Sequence, residues 1–349
     1  MYPSVFLENK MKSIRVQDAV GLVLSHDITE IRPGSFKGPS FKKGHVIQAT
    51  DIEKLLDLGK RYIYVFELKA GQIHENEAAT RIANAAQGPG LTLTDPSEGK
   101  VNFKAAQMGL LKVNAQALYQ INQVQDIMFA SLHTNQQVTE NQPVAGTRII
   151  PLVTDRAHIE QIESICGQFF PVIQVKPFVP CQVGLIITGS EVFEGRIQDA
   201  FGPVVENKFK ELGSRIMGFE KVSDDVASTV RAINDFIKRG AALIAITGGM
   251  SVDPDDQTPA SIRAAGGRVV TYGAPVLPGA MFMLAYMDDI PIIGLPGCVM
   301  YHQTSIFDLV MPRILAGETV TRDDIVALGH GGFCSDCATC RYPICPFGK

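Results

Sequence analysis

Three short β-branched runs, each ended by a glycine turn, constrain this chain more than any other feature. Val183-Gly-Leu-Ile-Ile187 leads into Thr188-Gly189-Ser190-Glu191, and Ala242-Leu-Ile-Ala-Ile246 leads into Thr247-Gly248-Gly249-Met250-Ser251. Ile290-Pro-Ile-Ile293 leads into Gly294-Leu295-Pro296-Gly297. Runs this short and this apolar are strands buried on both faces, and strands of that kind belong to parallel sheets whose carboxyl ends carry a site. The stretches between them have helical spacing. Val205, Phe209 and Leu212 form one set; Val226, Val230, Ile233 and Ile237 form another, closed by Gly240. Asp224 or Asp225 can cap that second helix, and Thr258-Pro259 starts a third with the hydroxyl at the cap. Alternation of strand and helix implies right-handed crossovers and a doubly wound α/β sheet.

A chain of 349 residues is longer than one ordinary domain. We divide it into an N-terminal α+β module (residues 1–68), a middle α+β module (69–180), the α/β domain (181–318) and a cysteine-rich tail (319–349). In the first module Phe41–Ile47 reads as a hairpin, Asp51–Gly59 as a helix, Tyr62–Phe66 as a strand and His45 as a surface turn histidine. In the second, Glu75–Ala86 and Asn114–Asp126 read as helices, with Leu118, Ile121 and Val124 on the buried side of the latter. Gly88-Pro-Gly90 and Asp95–Gly99 carry turn chemistry suited to a hinge or linker. His133 and His158 stand among polar neighbours and read as surface histidines.

The net charge of −4 offers no electrostatic footprint for nucleic acid. Met1–Lys10 has no apolar core of the signal-peptide kind, and the most apolar region, Met281–Met300, is broken by Asp288, Asp289, Gly and Pro, which argues against a membrane span. Clustered rather than scattered cysteines suit a metal site in a reducing compartment, so the expected location is the cytoplasm.

Glycine at a strand–helix turn lets backbone amides approach an anion closely, so three such turns at neighbouring strand ends suit a phosphate-bearing ligand. Acids gather in the same loops: Glu191, Asp199, Asp224, Asp225, Asp253, Asp255 and Asp256. Carboxylates beside a phosphate cradle suit Mg²⁺ or hydrogen bonds to a nitrogen-rich ring. Helix capping and solvated turns account for Asp224 and one of Asp253 and Asp255. They account less well for Asp256, because Thr258 is the better cap.

These residues resemble a family. Thr188-Gly-Ser-Glu191, Gly195, Ile197-Gln-Asp199, Gly202, Val222-Ser-Asp-Asp225, Thr247-Gly-Gly-Met-Ser251, Asp256-Gln-Thr-Pro259, Leu277-Pro278-Gly279 and Gly294-Leu295-Pro296-Gly297 are similar, in order and spacing, to the molybdopterin-binding domain. That domain is shared by molybdopterin molybdotransferases (MoeA-like), molybdopterin adenylyltransferases (MogA-like) and competence-damage-inducible proteins. The resemblance implies a three-layer α/β/α sandwich and a ligand that is molybdopterin, its adenylylated form or the finished molybdenum cofactor. It implies that Thr188, Gly189, Ser190, Glu191, Asp199, Thr247, Gly248, Gly249, Ser251, Pro278, Gly279, Leu295, Pro296 and Gly297 bind that ligand, and that Asp256 and Asp225 carry the catalytic-site carboxylates. Mg²⁺, the pterin or molybdate would lie near the acids. Residues 12–68 look like the module that precedes this domain in molybdotransferases, but their Ser-Ala-Met-Asp-Gly-Tyr-Ala-Val segment is absent. Val276-Leu-Pro-Gly-Ala-Met281 replaces their Lys-Pro-Gly-Lys-Pro loop, and Cys298 follows the last turn in place of Asn.

The tail carries Cys334, Cys337, Cys340 and Cys345, followed by Pro346. Its Cys-x₂-Cys-x₂-Cys-x₄-Cys-Pro run is one residue longer than the bacterial ferredoxin run, and it also supplies the thiolates of a structural Zn²⁺ site. An iron–sulfur cluster, Zn²⁺ and unliganded redox thiols all remain open. Cys166, Cys181 and Cys298 read as small core residues, Cys298 standing in a pocket turn.

Two functions follow from the resemblance. One is a transferase that inserts molybdate into molybdopterin. The other is a carrier or maturation chaperone that holds the cofactor for a molybdoenzyme partner; the absent lysines favour it, and the acids favour the first. A homo-oligomer is expected in either case, with N-terminal modules that shape the cleft or mediate dimerisation.

Overall fold

The computed structural model describes residues 12–32, 36–66, 68–251, 253 and 256–349. The Met1–Lys10 reading, Pro33–Ser35 of the first module and Asp255 lie outside the described residues. The chain divides into two compact units. One runs to Ala106 and adds Val113–Leu132 and Asn141–Gln174; the other comprises Gln107–Lys112, His133–Glu140 and Val175–Lys349. Among the described residues no helix is long and apolar enough to cross a membrane.

In the first unit, strands Lys12–Arg15, Tyr62–Phe66 and Val23–Leu24 form one small sheet. Helix Asp51–Asp57 buries Leu55 in the same core as Val16, Leu24, Ile63 and Val65. The expected hairpin at Phe41–Ile47 is displaced: the hairpin pairs Ile28–Arg32 with Phe36–Phe41, and Lys42–His45 is the turn that follows it. His45 is not an idle surface residue, because its Nε2 lies 2.6 Å from the Asp51 carboxylate.

The rest of this unit packs helices Glu75–Ala86 and Arg156–Gln168 with a four-stranded antiparallel sheet. Asn114 caps helix Ala115–Gln123 by accepting from the Ala117 amide at 3.0 Å. That helix buries Ala117 and Ile121, while Leu118 is only half-buried. The turns at 88–90 and 95–99 are fastened inside the unit, Gly88 donating to Ile173 and Gly99 to Asn76.

The second unit is built on a six-stranded mixed sheet. We label its strands β1 (Gln182–Thr188), β2 (Arg215–Val222), β3 (Leu243–Thr247), β4 (Arg268–Tyr272), β5 (Met283–Met287) and β6 (Ile290–Leu295). Their spatial order is β2-β1-β3-β6-β5-β4. The β2, β1, β3 and β6 strands run parallel, as the apolar runs predict. Strands β5 and β4 run antiparallel to their neighbours, because Asp288 at φ 52° turns β5 straight back into β6 without a crossover helix.

Helices cover both faces of this sheet. We label them α1 (Ser190–Phe193), α2 (Phe201–Glu211), α3 (Val226–Lys238), α4 (Thr258–Ala264), α5 (Cys298–Tyr301), α6 (Ile306–Leu315) and α7 (Arg322–Ala327). Side chains alternate along a strand, so β1 sends Val183, Leu185 and Ile187 into the core beneath α2 and α6, and Ile186 into the core beneath α3. Two cores on opposite faces of one sheet make the three-layer α/β/α sandwich. The α3 helix buries Thr229, Ala232, Ile233 and Phe236, a helical stripe, and Gly240 ends it at φ 89°. Gly184 makes room for that stripe: a Cβ there would lie 2.5 Å from the Phe236 ring.

Candidate functional site

The strand register aligns the glycine turns. Ile187 of β1 is opposite Thr247 of β3, and Thr247 is opposite Leu295 of β6. Gly189, Gly248-Gly249 and Pro296-Gly297 therefore leave the sheet from one edge, in consecutive positions. Thr188 is opposite Val222 of β2, so Ser223-Asp224-Asp225 joins the same edge. One end of the parallel half of the sheet thus gathers four of the loops singled out in the sequence.

The middle turn is the tightest. Gly248 and Gly249 have φ of 84° and 57°, which side chains rarely adopt. A Cβ on Gly248 would sit 2.3 Å from the Thr188 carbonyl oxygen, and one on Gly249 would sit 2.7 Å from Thr258 Oγ1. Threonines hold the turn in place. Thr258 Oγ1 donates to the Gly248 carbonyl at 2.9 Å, and the Thr258 amide donates to Gly249 at 3.1 Å. Thr188 Oγ1 donates to the Thr247 carbonyl at 3.1 Å. Thr188, Thr247 and Thr258 are buried, so their hydroxyls brace backbone instead of facing solvent. Thr258 accordingly does not cap α4, whose cap position is Gln257.

The acids separate into those occupied in structure and those that are not. Asp224 accepts from the Ser190 amide at 2.8 Å and the Ser190 hydroxyl at 3.0 Å, tying the first turn to the end of β2. Asp225 is the cap of α3: it accepts from the Ser228 amide at 2.8 Å and hydroxyl at 2.6 Å, and those bonds hold its carboxyl below the usual range. Capping therefore explains Asp225 and not Asp224, which corrects the assignment expected from sequence. Asp199, one residue ahead of the cap position Ala200, accepts from the amides of Phe201 at 2.9 Å and Gly202 at 3.0 Å and so satisfies the start of α2. Glu191 is exposed on α1, beside Gly189. Asp256 is half-buried next to the Gly249 turn, where its Oδ2 accepts from the Asp253 amide at 3.2 Å. Ser251 is exposed, and its carbonyl accepts from the Tyr272 hydroxyl at 3.3 Å.

Loop 277–279 sits differently. The Pro278 carbonyl accepts from the Ile306 amide at 3.1 Å, and a Cβ on Gly279 would lie 2.5 Å from Ile306 Cβ. Pro278 and Gly279 are thus fastened to the start of α6 and reach the third turn through α6 and α5. Cys298, the first residue of α5, is half-buried, and burial pushes its thiol up.

Leu277 links this loop to the tail. Its amide donates to Gly332 and its carbonyl accepts from Cys334, both at 2.8 Å. The tail then closes over residues 301–304, where Thr304 Oγ1 lies 3.1 Å from Cys340 Sγ and His302 Nδ1 lies 4.0 Å from Asp336. Between them is a cavity of about 240 Å³ lined by Cys334, Cys337, Cys340 and Cys345 together with His302 and Thr304. An iron–sulfur cluster or Zn²⁺ is the occupant expected at these cysteines; among the described residues no three His, Cys, Asp or Glu side chains are grouped to hold a metal ion. The same holds for the described acids around the glycine turns, Asp255 not being among them.

Comparison with known proteins follows the division of the chain. Residues 184–316 match a family described as a probable molybdopterin binding domain, and residues 13–67 match a domain of unknown function. The chain is 29% identical over 159 residues to the molybdopterin molybdenumtransferase of Bacillus subtilis (strain 168), covering 44% of this chain and 34% of that protein. It is 32% identical over 101 residues to a CinA-like protein of Mycobacterium avium (strain 104), covering 28% of this chain and 23% of that one. The chain thus spans about a third or less of the length of these relatives. Among solved structures, the molybdopterin biosynthesis enzyme MoaB from Thermus thermophilus aligns with 40% of this chain and 98% of its own at 18% identity, with a TM-score of 0.32.

Proposed function

We propose that the 184–316 domain, a member of the molybdopterin-binding family, holds a molybdopterin-type ligand across the carboxyl ends of β1, β3 and β6 in molybdenum cofactor biosynthesis. The observation that carries this reading is the single row Ile187–Thr247–Leu295, which sets three glycine turns side by side. The ligand's phosphate takes the backbone amides of the Gly248-Gly249 turn, which the packing of Thr188 and Thr258 against the two glycines holds in place. Its ring end takes the acids. Glu191 and Asp256 are the carboxylates that face a ligand, since Asp199 and Asp225 are engaged by helix amides.

Mg²⁺ fits this arrangement in one way only. It is commonly held by one or two carboxylates together with substrate phosphate oxygens and water, so it needs no preformed three-residue cluster. In this reading Asp256, beside the phosphate turn, is the carboxylate that would hold it, and the ion would offset the phosphate charge. The chain's own part is to orient the ligand and to keep the Gly249–Asp256 loop in register through Thr258.

Between the two functions, the engagement of Asp225 and Asp199 by helix amides favours a carrier of the cofactor, and it leaves Asp256 as the one residue on which molybdate insertion would depend. A molybdoenzyme is the recipient in the carrier reading, with the chain acting as a homo-oligomer. Incubating the full chain with molybdopterin, adenylylated molybdopterin and molybdate separates the alternatives. Tight binding without turnover supports the carrier. Formation of molybdenum cofactor that is lost in Asp256→Ala replaces it with the transferase. Absence of any pterin binding contradicts both.

A further inference from the structure

The tail is the part of the chain that pterin binding does not explain, and it is anchored like a built site. Phe347 is buried in the core beneath α6, and the Tyr342 hydroxyl donates to the Asp308 carbonyl at 2.8 Å. The Gly348 amide donates to Gly331 at 2.9 Å, closing the segment on itself. Beneath it, Lys208 Nζ meets both Asp308 oxygens at 2.9 and 3.0 Å and the Gln303 carbonyl at 2.8 Å, which secures the 301–305 loop. A tail serving only as a flexible thiol store would not need such supports on either side of its cysteines.

The arrangement of the thiols distinguishes between occupants. A Zn²⁺ bound by four thiolates at about 2.3 Å draws its sulfurs to within about 3.8 Å of one another and leaves no void. Here all four cysteines line one cavity of about 240 Å³, a space that a single Zn²⁺ would not fill. A cavity of that size walled by four thiols has room for a polynuclear occupant, which carries its own bridging sulfides and meets each cysteine at a different iron. The Cys-x₂-Cys-x₂-Cys part of the run has the spacing by which three ferredoxin cysteines meet one cluster, and Cys345 adds a fourth thiol to the same cavity wall. Arg341 in the lining supplies positive charge beside the four thiols, and Lys349 lies within electrostatic reach of Cys345.

We propose that Cys334, Cys337, Cys340 and Cys345 bind a [4Fe–4S] cluster in the tail cavity, each thiol giving up its proton to ligate one iron. This site is separate from the pterin reading and stands or falls independently of it.

The test is reconstitution of the full chain under anaerobic conditions with ferrous and ferric iron and sulfide, with Zn²⁺ supplied in a parallel sample. The proposal predicts about four irons and four sulfides per chain, a sulfide-to-iron charge-transfer absorption and a paramagnetic signal on reduction. Cys337→Ser and Cys340→Ser alter exposed residues, so they leave folding intact by circular dichroism while iron content falls by about half or more. Cys298→Ser, outside the cavity lining, keeps full iron content. One zinc per chain in preference to iron, or a metal-free protein in which all tail thiols react with a thiol reagent, overturns the proposal.

Discussion

At the scale of single residues, two glycines in neighbouring turns answer different demands. Gly248 is locked by a positive φ of 84° and by the Thr188 carbonyl 2.3 Å from where a Cβ would lie. Gly248→Ala is expected to cost about 2 kcal/mol or more, because both the left-handed conformation and the contact with backbone oppose it. Gly297 has an ordinary φ of −54° and no heavy atom within 4 Å of an added Cβ. Gly297→Ala is expected to change stability by less than about 0.5 kcal/mol. Chemical denaturation of both variants checks the contrast. Neighbouring acids diverge in the same way. Asp199→Ala removes the carboxylate that satisfies the start of α2 and is expected to cost about 1 kcal/mol while ligand affinity stays unchanged. Asp256→Ala is expected to leave the melting temperature unchanged and to weaken ligand binding.

At the scale of elements, α6 and α7 are joined by a charge network. Arg313 on α6 donates to Asp324 on α7 at 2.7 Å and to Glu318 at 2.9 Å. Burial alone would push the Asp324 carboxyl up, but the Thr321 hydroxyl and Arg313 overcome that and hold it at about 2. A carboxyl held below its unfolded value adds stability that is fully present above about pH 4 and is lost as pH falls toward 2. The contribution is about 2 kcal/mol. Asp324→Asn should lose it at neutral pH and flatten the acid limb of a stability-versus-pH curve; an unchanged curve contradicts the network. Elements of this kind were the most legible in the sequence. Helix Glu75–Ala86, helix Val226–Lys238 with Gly240 at its end, and strands β1, β3 and β6 all follow from local periodicity and punctuation, although the buried face of Val226–Lys238 is Thr229, Ala232, Ile233 and Phe236, with Val226, Val230 and Ile237 half-buried. The antiparallel β4–β5 edge did not, because β5 is an apolar strand buried on both faces, whose composition is the same whichever way it runs. Adjacent acids Asp224 and Asp225 are equivalent as letters, and only the register of β2 against β1 decides which meets Ser190 and which caps α3. The hairpin at Ile28–Phe41 was hidden by the glycine and proline of its own second strand, which look like a loop.

At the scale of the whole molecule, the second unit carries two proposed sites that share supports. Loop 277–279 is fastened to the start of α6 on one side and to the tail on the other, and α5 leads from the third glycine turn into the wall of the tail cavity. The glycine turns and their order were readable from residues alone; the place of the tail was not, since nothing local in a cysteine run says what it packs against. The central claim is that the β1–β3–β6 edge binds a molybdopterin-type ligand. Calorimetric titration of the full chain with molybdopterin tests it most directly, with Asp199→Ala and Asp256→Ala titrated alongside. The account predicts saturable binding of one ligand per chain, retained in Asp199→Ala and weakened about tenfold or more in Asp256→Ala. No saturable binding to the wild-type chain, or equal affinity in all three proteins, would contradict it.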